Sequence, residues 1–97
     1  MLVLVTYDVS FGQGNGQQRL RRIAKICQDY GIRVQYSVFE CDIDSAQWIM
    51  FKSKLFDTYD ESCDSLRFYK LGNKGQQKIE HHGAKPSFDI FRDTLML

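Results

Sequence analysis

The ten residues Met-Leu-Val-Leu-Val-Thr-Tyr-Asp-Val-Ser at 1–10 constrain this chain more than any other stretch. Leu2 to Val5 form an unbroken aliphatic run, which reads as a strand buried on both faces. Such a strand belongs in the middle of a sheet. It ends on a carboxylate, Asp8, followed by Ser10 and a loop with glycines at 12, 14 and 16. An ionised Asp at the end of a central strand is costly unless a cation, a basic side chain or backbone donors face it. The plainer alternative is that Asp8 caps the turn after the strand.

At 97 residues the chain is expected to form one main domain, residues 1–82, with a tail over 83–97. No run approaches the ~20 apolar residues that span a bilayer, and Met1 to Val5 lacks the basic leader of a signal peptide. Cys27, Cys41 and Cys63 are odd in number and show no metal-site spacing, so they read as small buried hydrophobes in a reducing cytoplasm. His81 and His82 have no carboxylate or cysteine at ligand spacing and read as surface residues. The net charge of +1 carries no global nucleic-acid signature, but its distribution is uneven. Arg19, Arg21, Arg22, Lys25 and Arg33 crowd the stretch 13–39 against Asp29 alone, and seven acids fall in 40–64. Separate basic and acidic faces follow.

The loop after the first strand lacks the Gly-Lys-Ser/Thr of a P-loop and the register of a dinucleotide fingerprint. Gln17 to Tyr30 then carries Leu20, Ile23, Ala24, Cys27 and Tyr30 as one helical stripe, with Arg19, Arg21, Arg22 and Lys25 on the outer surface. Gly31 is placed to end that helix as its C′ residue. Ile32 to Ile43 changes apolar phase near Ser37, which reads as two strands with a tight break at Tyr36 and Ser37, a single bent strand being the alternative. Asp44 and Ser45 provide an N-cap for a second helix over Ala46 to Tyr59, whose stripe reads Trp48, Ile49, Leu55, Phe56 and Tyr59. An acidic turn over Asp57 to Asp64 leads into a strand at Ser65 to Leu71. Gly72 to Gly75 reads as a turn, Gln76 to His82 as a short last strand, and Phe88, Ile90, Phe91 and Leu95 to Leu97 make the tail apolar enough to dock. The order is strand, helix, strand, strand, helix, strand. That is an α+β, ferredoxin-like βαββαβ arrangement with an additional short C-terminal strand and tail.

Several motifs carry a resemblance to a known family. Val-Thr-Tyr-Asp-Val at 5–9, Arg-Leu-Arg-Arg at 19–22, Gly-Ile-Arg-Val-Gln-Tyr-Ser-Val-Phe-Glu-Cys at 31–41 and Asp-Ser-Leu-Arg-Phe-Tyr at 64–69 resemble the CRISPR-associated Cas2 family. The ending His-Gly-Ala-Lys-Pro-Ser at 82–87 is similar to the subtype I-C branch. The resemblance implies a ferredoxin-like homodimer in which the chain's end pairs with the partner's sheet. It implies a catalytic Asp8 that also binds a metal, Mg²⁺ or Mn²⁺ shared between the two subunits. Tyr7, Arg19, Arg21, Arg33 and Phe39 match family positions linked to activity or nucleic-acid contact. It further implies cleavage of single-stranded RNA or duplex DNA, and a bridging role beside the CRISPR integrase (the Cas1 protein) when new spacers are acquired.

Two mechanisms of different class then stand open. In the nuclease reading, Asp8 holds the metal while Ser10, Arg19 and Arg33 position phosphate. In the scaffold reading, Arg19, Arg22, Lys25, Arg67, Lys70, Lys74 and Lys78 track a duplex backbone without reading sequence. A plain RNA-binding module lacks the paired aromatic motif such a sheet needs.

Overall fold

The computed structural model describes residues 1–11, 14–71 and 77–84, apart from the side chains of Gln77 and Lys78. The expected turn at 72–75, Lys74, the side chain of Lys78 and the tail beyond residue 84 lie outside the described residues. Seven elements follow in order: β1 (Leu2–Asp8), α1 (Gly16–Tyr30), β2 (Ile32–Gln35), β3 (Val38–Asp42), α2 (Ser45–Thr58), β4 (Ser65–Leu71) and β5 (Gln77–Gly83). The five strands form one sheet in the order β2-β3-β1-β4-β5. β1 is central and antiparallel to both neighbours, with Leu4 opposite Glu40 on one side and Tyr69 on the other. This is the expected α+β, ferredoxin-like arrangement, extended by β5 on the far side of β4.

The pleat sorts each strand between two clusters. Val3, Val5 and Tyr7 join Phe39, Cys41, Leu66 and Phe68 beneath both helices, whose Ile23, Cys27, Trp48, Phe51 and Leu55 complete the main core. Leu4, Val38 and Tyr69 form a second cluster on the opposite face. Burial on both faces is why Leu2 to Val5 reads as a continuous apolar run. β2 is an edge strand and obeys a different rule. Its register slips between Arg33 and Gln35, and Ile32 and Tyr36 are 74% and 75% exposed. Its alternation therefore reflects strand propensity and not burial.

The helices hold two departures from the pattern. In α2 the buried residues are Trp48, Phe51 and Leu55, whereas Ile49 is 68% exposed. One position is a 100° rotation on a helix, so the stripe follows the spacing of three and four from Trp48 and excludes Ile49. Asp44 caps α2 as expected, accepting from the Gln47 N–H at 2.7 Å while Gln47 Oε1 accepts from the Asp44 N–H at 3.0 Å. Gly31 does end α1, with its N–H donating to Cys27 O at 2.9 Å, but its backbone is extended. A glycine is needed there because the chain passes against β3. A Cβ would meet the Glu40 carbonyl oxygen and sit 2.5 Å from Cys41 Sγ.

β5 is tied down by charge. Glu80 accepts from Lys52 Nζ at 2.8 Å and lies 3.3 Å from both Lys70 Nζ and His82 Nε2. Burial alone would raise the Glu80 carboxyl, but hydrogen bonds from Lys52 and His82 and the charge of Lys52 outweigh it, bringing it down to about 2. His82 is half-buried and not a surface residue, because its ring stands edge-on to Phe56 at 4.8 Å and tilts against Phe68 at 5.9 Å. Cys27 and Cys41 are buried and free, as expected, while Cys63 is only partly buried.

Two consequences can be measured. Gly31→Ala, checked by urea unfolding, should cost about 1–3 kcal/mol, since the β3 backbone cannot retreat from the added carbon. For Glu80 the sign follows from a carboxyl held low in the fold. Its contribution is present at neutral pH and is lost as pH falls from about 5 toward 2. Melting temperatures across that range should drop more gently for Glu80→Gln, which also starts lower at pH 7.

Candidate functional site at the end of the first strand

β1 delivers Asp8 to the end of the central strand, opposite Ser65 of β4. Tyr7 before it points into the core beneath the helices, so alternation puts the exposed Asp8 on the other face. There it shares a surface with Thr6 and Arg67, two register pairs further in, both largely buried. The Arg67 guanidinium lies over the Tyr69 ring at 5.2 Å. Among the described residues the Asp8 side chain has no hydrogen bond or ion pair, so its oxygens are open to a ligand.

Tyr7, Arg33 and Phe39 come together on the helix side. Tyr7 stacks on Phe39 with ring centroids 6.2 Å apart, and the Arg33 guanidinium covers Phe39 at 5.1 Å and Tyr36 at 5.8 Å. Burial pushes the Tyr7 phenol up, partly offset by its hydrogen bond with Arg33. Phe39 is fully buried and Tyr7 nearly so, while Arg33 stays exposed. The two rings therefore shape the wall on which Arg33 is held.

Arg19 departs from the outer surface on which its spacing puts it. Its side chain is only 12% exposed and forms a two-pronged ion pair with Asp64, which is 0% exposed. Arg19 Nε donates to Asp64 Oδ2 at 2.7 Å, and Nη2 to Oδ1 at 3.2 Å. The same Nη2 donates to the Ser10 carbonyl at 3.0 Å. Asp64 also accepts from the N–H groups of Ser10 and Asp60, each at 3.0 Å. Burial would raise this carboxyl, but Arg19 and the two backbone donors together hold it below the usual range. Asp64 is a residue that sequence reasoning missed, having counted it into the acidic turn. The signal was its place directly before the strand that carries Leu66, Phe68 and Tyr69, where an unpaired carboxylate is not tolerated.

Arg21, Arg22 and Lys25 remain on the exposed side of α1. Lys25 pairs with Asp29 at 3.2 Å, one helical turn away. Arg21 opens onto a groove with Phe11, Gly14, Asn15, Gln17 and Gln18, just past the loop that Ser10 begins. The structure thus gathers Ser10 with Arg19, gathers Tyr7 with Arg33 and Phe39, and spreads the remaining bases along one helix.

The donor set around Asp8 limits what cation could bind. Among the described residues no three His, Cys, Asp or Glu side chains stand together. A single open carboxylate offers hard oxygen and fits an ion that keeps most of its water, as Mg²⁺ does. It does not fit a closed Zn²⁺ site.

Comparison with known proteins agrees with the fold. The family model described as CRISPR associated protein Cas2 matches residues 1–79. A CRISPR-associated endoribonuclease Cas2 from Nitratidesulfovibrio vulgaris is 61% identical over 89 residues, 92% of this chain and 87% of that protein. A CRISPR-associated endonuclease Cas2 from Halalkalibacterium halodurans is 56% identical over 90 residues, covering 93% and 94%. The crystal structure of Streptococcus pyogenes Cas2 at pH 6.5 superposes with a TM-score of 0.69 at 51% identity, over 76% of this chain and 89% of that one. No described helix is long and apolar enough to cross a membrane.

Proposed function

The chain belongs to the CRISPR-associated Cas2 family, and we propose that it is a metal-dependent endonuclease built around Asp8. The observation that carries this reading is the open carboxylate at the end of β1. Asp64 and Glu80 are neutralised by Arg19 and by Lys52 with Lys70, whereas Asp8 meets no cation among the described residues. The names of its relatives, endoribonuclease and endonuclease, support a phosphodiester as the substrate.

In this reading two copies meet about a two-fold axis, and each gives one Asp8 to a shared site for Mg²⁺ or Mn²⁺. An isologous contact supplies the second carboxylate that one chain lacks. Ile32 and Ile79, both exposed, lie on the sheet face that carries Asp8 and favour contact with a second sheet. When bound, the metal polarises the phosphate and lowers the pKa of a water at that phosphate. The protein's own part is positional. Asp8 fixes where the phosphate comes to rest. Arg21, Arg22 and Lys25 take neighbouring phosphates along α1 by charge alone, without reading bases. Arg33, held over Phe39 and Tyr36 on the helix side of the sheet, opposite the face that carries Asp8, takes a backbone phosphate and does not face the reacting one. Ser10 lies at the start of the loop that borders this surface.

A second reading is favoured by the thinness of the donor set, since no three His, Cys, Asp or Glu side chains cluster among the described residues. Here the dimer bridges the CRISPR integrase during spacer acquisition and holds duplex DNA without cutting it.

One comparison separates the two. Wild type, Asp8→Ala and Asp8→Asn are incubated with single-stranded RNA and with duplex DNA in Mg²⁺, Mn²⁺ or chelator. The nuclease reading expects cleavage by wild type alone, abolished by chelator and reduced in both variants to the chelator level. Equal cleavage by Asp8→Ala removes it. Binding without any cleavage, with acquisition in cells intact in Asp8→Ala and lost when Arg21 and Arg22 are neutralised, is the outcome for the scaffold.

A further inference from the structure

Among the described residues Asp64, unlike Asp8, is met on every side. Both of its carboxylate oxygens are occupied. Oδ2 takes Arg19 Nε at 2.7 Å and the Asp60 N–H at 3.0 Å. Oδ1 takes Arg19 Nη2 at 3.2 Å, the Ser10 N–H at 3.0 Å and the Cys63 thiol at 3.5 Å. The Asp64 carbonyl accepts from the Ala84 N–H at 3.1 Å. One buried residue therefore gathers the exit of β1, the first turns of α1, the turn before β4 and the end of β5.

These segments frame Asp8. Ser10, held by both partners of the ion pair, is two residues after Asp8. Ser65, the register partner of Asp8, is the residue next to Asp64. The strand end bearing Asp8 is thus pinned on its own strand and on the neighbouring strand β4. Two glycines show how tightly the pieces meet. A Cβ at Gly16 would lie 2.5 Å from the Ser10 carbonyl oxygen, and one at Gly83 would run into the Asp64 carbonyl oxygen and sit 2.7 Å from Ser65 Cα.

We propose that Arg19 and Asp64 form a positioning pair for the Asp8 site, and that Arg19 does not contact nucleic acid. Its guanidinium fork already meets carboxylate and carbonyl acceptors. Turning it toward a phosphate would leave a carboxylate with no solvent exposure and no cation. The phosphate contacts then fall to Arg21, Arg22 and Lys25. The first half of the proposal rests on Asp8 being the metal site; the second half stands apart from it.

The test uses the full chain in four variants: Arg19→Met with Asp64→Asn, Arg19→Lys, Arg22→Gln and Asp8→Ala. The double variant removes both charges at once and keeps an amide oxygen for the backbone donors. Arg19→Lys keeps the charge without the fork and serves if the double variant does not melt cooperatively. Mn²⁺ affinity is read by electron paramagnetic resonance on the protein with metal alone. Nucleic-acid affinity is read from the salt dependence of duplex binding in chelator. The double variant should lose about tenfold or more in Mn²⁺ affinity, as loss of an outer supporting residue does, while its salt slope stays that of wild type. Arg22→Gln should do the reverse, with a slope smaller by about one. A general loosening of the fold would weaken both measurements together. A slope reduced by about one in the double variant, or in Arg19→Lys a fall in DNA affinity with unchanged Mn²⁺ binding, overturns the proposal. Wild-type Mn²⁺ affinity in the folded double variant overturns its positioning half. Equal Mn²⁺ binding by wild type and Asp8→Ala defeats the metal reading of Asp8 itself, and the salt slopes then still decide whether Arg19 touches phosphate.

Discussion

The ion pair between Arg19 and Asp64 is the constraint on which the arrangement around Asp8 depends. A carboxylate with no solvent exposure is stable only when its charge and its lone pairs are both met. Arg19 meets the charge, and backbone N–H groups from Ser10 and Asp60 meet what is left. None of these partners is close in sequence to all the others. Satisfying one carboxylate therefore forces the loop after β1, α1 and the turn before β4 to converge. The end of the central strand is held there as a by-product of electrostatics.

Most of the fold could be read from residue patterns, because most elements have a single dominant cause. β1 is legible because burial on both faces leaves an unbroken apolar run. α1 is legible because its stripe is narrow and every residue on it packs inward. α2 shows where periodicity loses resolution. Ile49 is as apolar as Phe51 and adjoins Trp48, and nothing in the pattern says that the helix turns it outward. Gly31 shows the complementary limit. Its identity marks a helix end, but its cause is the approach of the β3 backbone, which no local signal carries.

In the candidate site the place of Asp8 could be read from the sequence, whereas the separate placements of the arginines could not. Asp8 stands out because a strand-end carboxylate before a glycine-rich loop demands an explanation. Arg19, Arg21 and Arg22 look alike in sequence, and only a tertiary contact to a residue 45 positions away separates the first from the other two. Tyr7 and Phe39 can be connected to Arg33 only once β1 and β3 are in register. A carboxylate in an acid-rich stretch, as Asp64 is, is easily taken for a solvated one. Its neighbours Ser65 to Tyr69, all buried, argue otherwise.

The chain belongs to the Cas2 family, and the function proposed for it sets Asp8 at an interface between two copies of the chain. The most direct measurement is a crystal structure of the protein grown with Mn²⁺ and phased at the manganese absorption edge. The account predicts one anomalous peak on a two-fold axis, coordinated by an Asp8 carboxylate from each copy, with the remaining ligands water. A dimer whose Asp8 side chains face apart, or manganese bound elsewhere with Asp8 free, would contradict it.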